Sequence, residues 1–495
     1  MLRSLKTIAP LLALSLAASA APAGESRLWK ADALELRKQV EAGTVRVPLP
    51  DGRSLTLLES KRSTSLAGSS CWSGDVVGEV GGDLAQHPGH LALVLYEDAV
   101  AGTLRTPDAA YSIRSDEHGG LWTETIASST FAGCGTGLAH EVSSTETVDG
   151  ASRGSGAGRG VGGPSGSSLG PAAQVGPAIQ RPEDTVVDVI VVWTPAAQAI
   201  VGGPAAVQAL ADLSVLETNL AYDRSGVALE MRTVHTTLVD YGESASMQTD
   251  LARLRDKNDG FLDEIHPLRD AFGADGVSML VSGTNPCGVG YLMAVQPSLT
   301  FERSAFNVAS YSCAASNLTL AHEFGHNFGL SHDRANTPNT PSQPYAFGYR
   351  TTNGAWRTIM AIFNGTRIGY FSTPARSFMG FVLGIDPSEP DGAANAFALN
   401  ANAPFLSAWR PTVVPDTAVT TKPDPFPREV AGHRGVLLEN TGANAPQALV
   451  FGDGDLRWLA PWRPGERSRW IPLADARPAL GVFVAGGAPR FLAVR

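Results

Sequence analysis

The residues best suited to chemistry are three histidines and a glutamate in residues 322–333. His322 and His326 are four apart, so on a helix they lie one turn apart on one face and both imidazoles can reach one ion. Gly329 can adopt a positive φ and end that helix, so that His332 approaches from another direction. Imidazole nitrogens suit zinc, and the spacing predicts a zinc site with three protein ligands.

Glu323 directly follows the first of these histidines. With three protein ligands, the open position on zinc would hold water, which the metal acidifies, and Glu323 is placed to take its proton as general base. A structural zinc site usually has four protein ligands, often cysteines, and no cysteine lies near this segment. The pattern therefore favours a catalytic zinc over a structural one.

The segment resembles the metzincins, whose signature His-Glu-x-x-His-x-x-Gly-x-x-His it matches in full, and Asp333 after the third histidine is similar to the reprolysin and adamalysin branch. The resemblance implies an α/β (α+β) catalytic domain with a mixed sheet, a zinc-binding helix and a cleft. It also implies a methionine-containing turn beneath the metal, which assigns that role to Met360. Where other branches carry a tyrosine ligand the chain has Ile362, so no fifth protein ligand is expected.

A closer resemblance, to bacterial peptidyl-Asp metalloendopeptidases, covers about residues 186–411 and rests on the runs at 324–329, 345–349 and 370–374. It implies a zinc endopeptidase that acts on proteins or peptides and cleaves on the amino side of Asp or Glu. Such a preference needs a cationic pocket, for which Arg367 and Arg376 are the candidate counter-charges. An exported binding or adhesion protein that keeps zinc without turnover is the alternative, and so is a zinc hydrolase acting on another bond.

The four cysteines allow more than one pairing. Cys287 and Cys313 flank residues 288–311, where we expect a substrate to lie extended along a sheet edge, and they are predicted to form a disulfide. Cys134 stands in a Cys-Gly element that resembles reprolysin-type propeptides, in which the thiolate blocks zinc in the precursor. The other possibility is a disulfide between Cys71 and Cys134, which would leave no thiol for the metal.

The elements that must position these residues follow from apolar periodicity. The run at residues 186–193 predicts a buried central strand, 227–234 and 276–282 predict two more strands, and 251–272 has helical spacing. A helix between the first two strands is predicted to bury one stripe, formed by Val207, Leu210, Ala211, Leu213, Leu216 and Leu220. This alternation predicts an α/β sheet, with the zinc helix over residues 318–328.

The chain divides into five predicted regions. Residues 1–20 have the charges, apolar stretch and small residues of an export signal, and 21–142 form a β-rich prodomain with a helix near 31–42. Residues 143–183 are a Gly-, Ser- and Pro-rich linker open to cleavage. Residues 184–411 form the catalytic domain, and 412–495 form a connector and a small β-rich accessory domain.

Composition limits the partners. A net charge of −10 argues against nucleic acid and anionic lipid, and no later apolar run reaches the ~20 residues of a membrane span. We therefore predict a secreted monomer with one zinc ion, protein or peptide substrates, no nucleic acid and no membrane span. Calcium stays open, because the Asp-rich residues 386–391 are equally consistent with solvated turns.

Overall fold

The computed structural model describes residues 26–77, 89–116, 118–126, 131, 134, 185–337 and 340–412, and beyond these only the backbone of six strands between 428 and 484. The predicted export signal and the predicted linker lie outside the described residues. We call residues 26–126 the N-terminal sheet domain and residues 185–412 the α/β domain.

The N-terminal sheet domain consists of eight strands and one helix. They are β1 Ser26–Asp32, α1 Ala33–Glu41, β2 Thr44–Pro48, β3 Ser54–Thr64, β4 Ser70–Val77, β5 His90–Tyr96, β6 Ala99–Arg105, β7 Ala110–Ser115 and β8 Gly120–Ile126. The antiparallel sheet has the order β1-β8-β7-β6-β5-β4-β3-β2. The Asp32 carboxylate caps α1 by accepting from the Glu35 backbone N–H at 2.9 Å, and α1 packs on both edge strands, β1 and β2.

The α/β domain is built on a five-stranded mixed sheet. Its main elements are β9 Thr185–Trp193, α2 Pro195–Val201, α3 Pro204–Ser225, β10 Leu229–Leu238, α4 Met247–Arg255, α5 Ile265–Phe272, β11 Gly276–Val281, β12 Gly288–Gly290, β13 Phe306–Ser310 and α6 Thr319–Asn327. The strand order is β10-β9-β11-β13-β12, and only β12 runs antiparallel to its neighbour. The mixed sheet and the strand-helix alternation that the sequence predicts are both present.

Shorter elements follow the zinc-helix segment. They are β14 Ser331–Asp333, β15 Phe347–Gly348, β16 Trp356–Arg357, β17 Thr366–Arg367, β18 Thr373–Phe378, β19 Phe381–Leu383, α7 Asn395–Leu406 and two 3-10 helices, Thr300–Ser304 and Arg334–Asn336. The helix α6 packs on β13 and on the edge strand β12. The candidate metal-binding helix therefore lies beside a sheet edge.

The helical spacing over residues 251–272 does not form one helix. It is divided between α4 and α5, and the chain between them turns through Asn258 with φ of 64° and Gly260 with φ of 85°. These left-handed conformations cannot continue a right-handed helix, and glycine and asparagine adopt them at low cost. Apolar spacing on both sides of the turn conceals the break in the sequence pattern.

The prediction of one buried stripe on α3 is wrong, because α3 is buried on two faces. Val207 and Ala211 belong to the core of the α/β domain, whereas Leu213 and Leu220 pack against the N-terminal sheet domain. A helix that is apolar around most of its surface is typically buried on all sides. The helix ends at Gly226, whose φ is 76°.

The described part of the C-terminal region has six short strands: β20 Arg428–Val430, β21 His433–Glu439, β22 Pro446–Phe451, β23 Leu456–Trp458, β24 Ser468–Pro472 and β25 Ala479–Val484. They pair antiparallel in two sheets of three, with the orders β20-β21-β24 and β23-β22-β25. Elsewhere in the described chain, no single helix is long and apolar enough to cross a bilayer, and α2 with α3 passes that test only as a pair bent by 95°.

Candidate metal centre

The helix α6 and the turn after it bring the three histidines together. His322 and His326 lie on α6, and Gly329 has the predicted positive φ, at 93°. A side chain at Gly329 would overlap the Ser342 hydroxyl, so both the conformation and the space require glycine. The chain then reverses into β14, which carries His332.

The three imidazoles converge on one point. His332 Nε2 lies 3.2 Å from His322 Nε2 and 3.1 Å from His326 Nε2. Two nitrogens bound to one tetrahedral ion at ~2.0–2.1 Å are about 3.3 Å apart, so the spacing suits a zinc-sized metal. His322 Nδ1 donates to the Ile359 carbonyl at 2.8 Å and His326 Nδ1 to the Leu330 carbonyl at 2.9 Å, which leaves the Nε2 lone pairs facing each other.

Burial keeps these imidazoles neutral. It lowers the pKa of His326 to about 4 and the pKa values of His322 and His332 well below the usual 6.5. A metal ligand must be the neutral imidazole, so no proton has to be displaced at pH 7.

Met360 lies directly beneath α6 and is fully buried. The Ala361 N–H donates to the Thr358 carbonyl at 3.0 Å, which closes a tight turn around it. A β-carbon added at Gly325 would overlap the Met360 sulfur, so the helix and the turn approach as closely as they do because residue 325 has no side chain. The Ile359 carbonyl of this turn also orients His322.

Asp333 connects the third histidine to the same turn, a contact that the sequence pattern did not predict. Its Oδ1 accepts from the Ile362 N–H at 3.1 Å, and its Oδ2 forms an ion pair with Arg350 at 3.1 Å. Arg350 in turn donates to the Ile362 carbonyl at 2.6 Å. In the sequence, Asp333 was notable only because it follows His332, a position that supported the family resemblance. That position did not indicate which residues Asp333 contacts.

Glu323 is fully buried between α6 and the edge strand β12. A β-carbon at Gly288 would lie 2.7 Å from Glu323 Oε1, so this strand needs glycine to make room for the carboxyl. Oε1 has no hydrogen-bond partner among the described residues. Burial raises the pKa of Glu323 to about 8, while the Cys134 thiol and the Arg367 guanidinium act in the opposite direction.

Cys134 lies at the metal centre. Its Sγ is 3.8 Å from His326 Nε2 and 3.9 Å from Glu323 Oε2, and the ligand atoms of Cys134 and the three histidines are all within 4.8 Å of one another. Together they form a candidate His/Cys metal site. Sulfur at ~2.3 Å and nitrogen at ~2.0–2.1 Å from one tetrahedral ion are about 3.6 Å apart, close to the 3.8 Å between Cys134 Sγ and His326 Nε2.

The other cysteines are elsewhere. Cys71 is buried in β4 with its Sγ 3.9 Å from the Ser69 carbonyl, so the alternative disulfide with Cys134 is not formed. The disulfide predicted between Cys287 and Cys313 is present, with the Cα atoms 5.6 Å apart. It joins the start of β12 to the segment before α6 and so fixes the edge strand to the candidate metal-binding helix.

The structure separates the two arginines suggested as counter-charges. Arg367 lies behind His322, with Nη2 3.4 Å from His322 Nδ1 and Nη1 donating to the Asn317 carbonyl at 2.8 Å. Its Nε is buried without a hydrogen-bond partner, and no ion pair to Arg367 occurs among the described residues. Arg376 is exposed and donates to the Arg224 carbonyl at the end of α3, so only Arg367 belongs to this site.

Comparison with known proteins identifies the family of the α/β domain. Residues 183–372 match the model of Reprolysin_5, the metallo-peptidase family M12. A peptidyl-Asp metalloendopeptidase of Pseudomonas fragi is 31% identical over 170 residues, which are 33% of this chain and 85% of that protein. The chain belongs to the M12 metallopeptidase family.

Longer relatives match this M12 metallopeptidase over part of their length. A peptidyl-Asp metalloendopeptidase of Stenotrophomonas maltophilia (strain R551-3) is 35% identical over 206 residues, 40% of this chain and 48% of that protein. The chain thus spans about half the length of such relatives. The crystal structure of metalloproteinase-II from Bacteroides fragilis is 10% identical, covers 61% of this chain and 86% of that one, and has a TM-score of 0.35.

The contact between Gly325 and Met360 can be tested by Gly325→Ala. Alanine is favoured over glycine in a helix by about 1 kcal/mol, but overpacking costs about 1–3 kcal/mol and displaces the turn that orients His322. We expect zinc affinity, measured by competition with a chromophoric chelator, to fall about 10-fold or more. Gly242→Ala, where an added β-carbon meets nothing within 4 Å, is the control. Unchanged zinc affinity in Gly325→Ala would show that the turn does not position the ligands.

Proposed function

We propose that His322, His326 and His332 hold one zinc ion and that the chain hydrolyses peptide bonds with Glu323 as general base. The observation that carries this proposal is the convergence of three Nε2 atoms, at 3.1 and 3.2 Å, next to the buried Glu323 carboxyl: Cys134 Sγ lies 3.8 Å from His326 Nε2 and 3.9 Å from Glu323 Oε2. A zinc ion bound there would acidify water and polarise a carbonyl. The relatives named peptidyl-Asp metalloendopeptidase support the same activity.

The chain's own groups supply the remaining steps. Glu323 takes the proton of the attacking water through Oε2, the oxygen that lies 3.9 Å from Cys134 Sγ, and later gives it to the leaving nitrogen. The edge strand β12 lies against Glu323, so a peptide added to that edge as a further strand would pass the carboxyl. The disulfide at Cys287 holds that strand in place.

Glu323→Gln tests the reaction directly, because the amide keeps the size of the carboxyl but cannot accept the proton. We expect zinc content and circular dichroism to be unchanged and kcat/KM on an unlabelled protein mixture to fall about 10³-fold, the middle of the range for general-base loss. The assay uses protein that has been cut within residues 143–183 and from which the N-terminal region has then been removed.

Glu389→Gln, at an exposed position, is the matched control and should retain full activity. Chelation of zinc should abolish turnover in both active proteins. If Glu323→Gln keeps wild-type turnover, Glu323 is not the base. If the wild type binds zinc stoichiometrically but cleaves nothing, the alternative of an exported zinc-containing binding or adhesion protein replaces the protease.

We also propose that the chain is made as an exported zymogen in which Cys134 occupies the open metal position. The Sγ atom lies 3.8 Å from His326 Nε2 and within 4.8 Å of the ligand nitrogens of the other two histidines, and thiolate is a strong zinc ligand. The disulfide between Cys287 and Cys313 is consistent with an oxidising compartment, as secretion requires. While Cys134 stays in place, Glu323 has no water to activate.

Cys134→Ala should therefore release activity without any cut in the chain. We expect the uncut variant to hydrolyse a small fluorogenic peptide at least about 10-fold faster than the uncut wild type, since zinc affinity for thiolate far exceeds that for water. Cys71→Ala removes a buried thiol of the same domain and should stay silent. If uncut Cys134→Ala is as inactive as the uncut wild type, the thiol does not block the site.

Finally, we propose a preference for cleavage before Asp or Glu, with Arg367 as the counter-charge. The guanidinium lies next to His322 and Glu323, and its Nε lacks a hydrogen-bond partner in the described chain. A partly buried cation without an ion pair favours an anionic ligand, and a carboxylate is the geometry that guanidinium matches best. The name of the bacterial relatives supports the same substrate class.

Arg367→Gln should reduce the preference for Asp after the scissile bond more than it reduces peptidase activity in general. We expect kcat/KM for a peptide with Asp after the scissile bond to fall about 10- to 100-fold, which corresponds to the loss of one hydrogen bond between charged groups. For the matched peptide with Ala at that position, kcat/KM should change little. The ratio of the two is measured alongside zinc content. Arg376→Gln should leave the ratio unchanged, and parallel loss on both peptides in Arg367→Gln would indicate a structural role instead.

A further inference from the structure

The N-terminal sheet domain packs mainly on one face of α3, and it also contacts Ala315 and Ser316 before α6 and the metal centre through Cys134. Ala92, Val94 and Ala101 of β5 and β6 pack against Leu213 and Leu220 in one buried cluster. Both leucines would face water without the sheet, so the hydrophobic effect stabilises the contact. The alternation along β5 places its leucines in the sheet domain's own core and its smaller residues against the helix.

Glu217 is a buried carboxylate of α3 within this contact, only 1% exposed. Its Oε1 accepts a hydrogen bond from Thr103 and lies 3.5 Å from Arg105 Nε, and both partners belong to β6. Arg105 Nη2 also donates to the Ala315 and Ser316 carbonyls at 2.9 Å. The charge of Glu217 is thus compensated from the other domain.

Asp212 is a second buried carboxylate on the same helix, 3% exposed. Ser65 and Ser69, between β3 and β4, donate to its Oδ2 at 3.0 and 2.5 Å, and Gln208 of α3 itself donates at 3.1 Å. Two of the three donors again come from the N-terminal sheet domain. A partner for this face must therefore bring a cation and several hydroxyl donors to defined positions.

Apolar burial and matched polar groups serve different purposes here. A buried ion pair adds little net affinity over an apolar contact, but losing one member leaves the other buried and unpaired, which is strongly unfavourable. The apolar cluster therefore supplies attraction, and Glu217 with Asp212 restricts which surface can bind.

We propose that this face of α3 is a docking surface for the N-terminal sheet domain, and that the two domains stay together as a non-covalent complex after the chain between them is cut. The contact involves strands β4 to β6 and α3, so it includes neither residues 143–183 nor Cys134. It should persist when the thiol or the metal is removed.

One consequence concerns activation and rests on the proposed function, whereas the binding itself does not. A cut within residues 143–183 leaves Cys134 covalently joined to a domain that remains docked. The thiol therefore stays beside His326, and release of activity requires displacement or digestion of the sheet domain as well as cleavage.

The test uses the full chain with a foreign protease site inserted within residues 143–183 and an affinity tag on the N-terminal side. After complete cutting, the protein is immobilised through the tag, and dissociation of the untagged fragment is followed by bio-layer interferometry and by size-exclusion chromatography at about 1 µM. We expect the two fragments of the cut wild type to co-elute, and likewise the two fragments of cut Cys134→Ala, with or without a zinc chelator. The Kd between the fragments should lie below about 1 µM.

Glu217→Gln should raise Kd at least about 30-fold, because Arg105 is then buried without its carboxylate. Asp223→Asn is the control: its ion pair with Lys61 is exposed, at 3.6 Å, and should change Kd by less than about fivefold. Thermal unfolding of each uncut variant checks folding. Should Glu217→Gln fail to fold, Thr103→Val on the sheet side removes one donor at nearly constant shape and should raise Kd about 3- to 10-fold.

Separation of the cut wild-type fragments at 1 µM would overturn the proposal. So would fragments that stay together in Glu217→Gln and Thr103→Val but separate in Cys134→Ala or with chelator, because the metal centre would then be what holds the domain. Peptidase activity is not read in any of these experiments, so a failure here is distinguishable from a failure of the proposed reaction.

Discussion

The candidate site depends on holding three neutral imidazoles with their Nε2 atoms 3.1 and 3.2 Å apart inside the protein. The three imidazoles do not attract one another in this arrangement, because their Nε2 lone pairs face each other. The surrounding chain must therefore hold the rings in place. The carbonyls of Ile359 and Leu330 do so by accepting from the opposite ring nitrogens, which fixes ring orientation and tautomer. The tight turn at Met360 and the reversal at Gly329 are the backbone features that present these two carbonyls.

Two charged side chains next to this cluster lack part of their hydrogen bonding. Glu323 Oε1 and Arg367 Nε are both buried polar atoms without hydrogen-bond partners in the described chain. Each such atom costs about 1–3 kcal/mol while it stays unpaired. A water at Glu323 and an anionic side chain at Arg367 would complete both atoms. The cost in stability and the proposed chemistry therefore have the same origin.

Local spacing was enough to predict the parts of the site that a single helix and its end determine. The spacing of His322, His326 and His332 predicted that their side chains converge, because residues four apart lie on one face of a helix. Gly329 predicted the chain reversal, because glycine can adopt a positive φ. The buried run at β9 likewise identified a central strand. Whether Arg367 or Arg376 lies at the site could not be decided this way, since both follow the Met360 turn and only the path of β17 and β18 separates them.

Apolar spacing was also insufficient where an element serves two neighbours or is interrupted. The turn at Asn258 and Gly260 lies between two stretches that share the same period, so α4 and α5 looked like one helix. In α3 the residues of two buried faces merged into a single stripe. Periodicity records which side chains are buried and not which surface buries them.

The two faces of α3 also bear on what the N-terminal sheet domain contributes. One face belongs to the core of the α/β domain, and the other carries Leu213, Leu220 and two buried carboxylates that the sheet domain partners. Small residues on both sides, among them Ala92 and Ala209, let the sheet and the helix approach closely. An α/β domain without the sheet would expose apolar surface beside Asp212 and Glu217. The sheet domain is therefore part of what stabilises α3, and through the packing of α3 on α6 it supports the helix that carries His322 and His326.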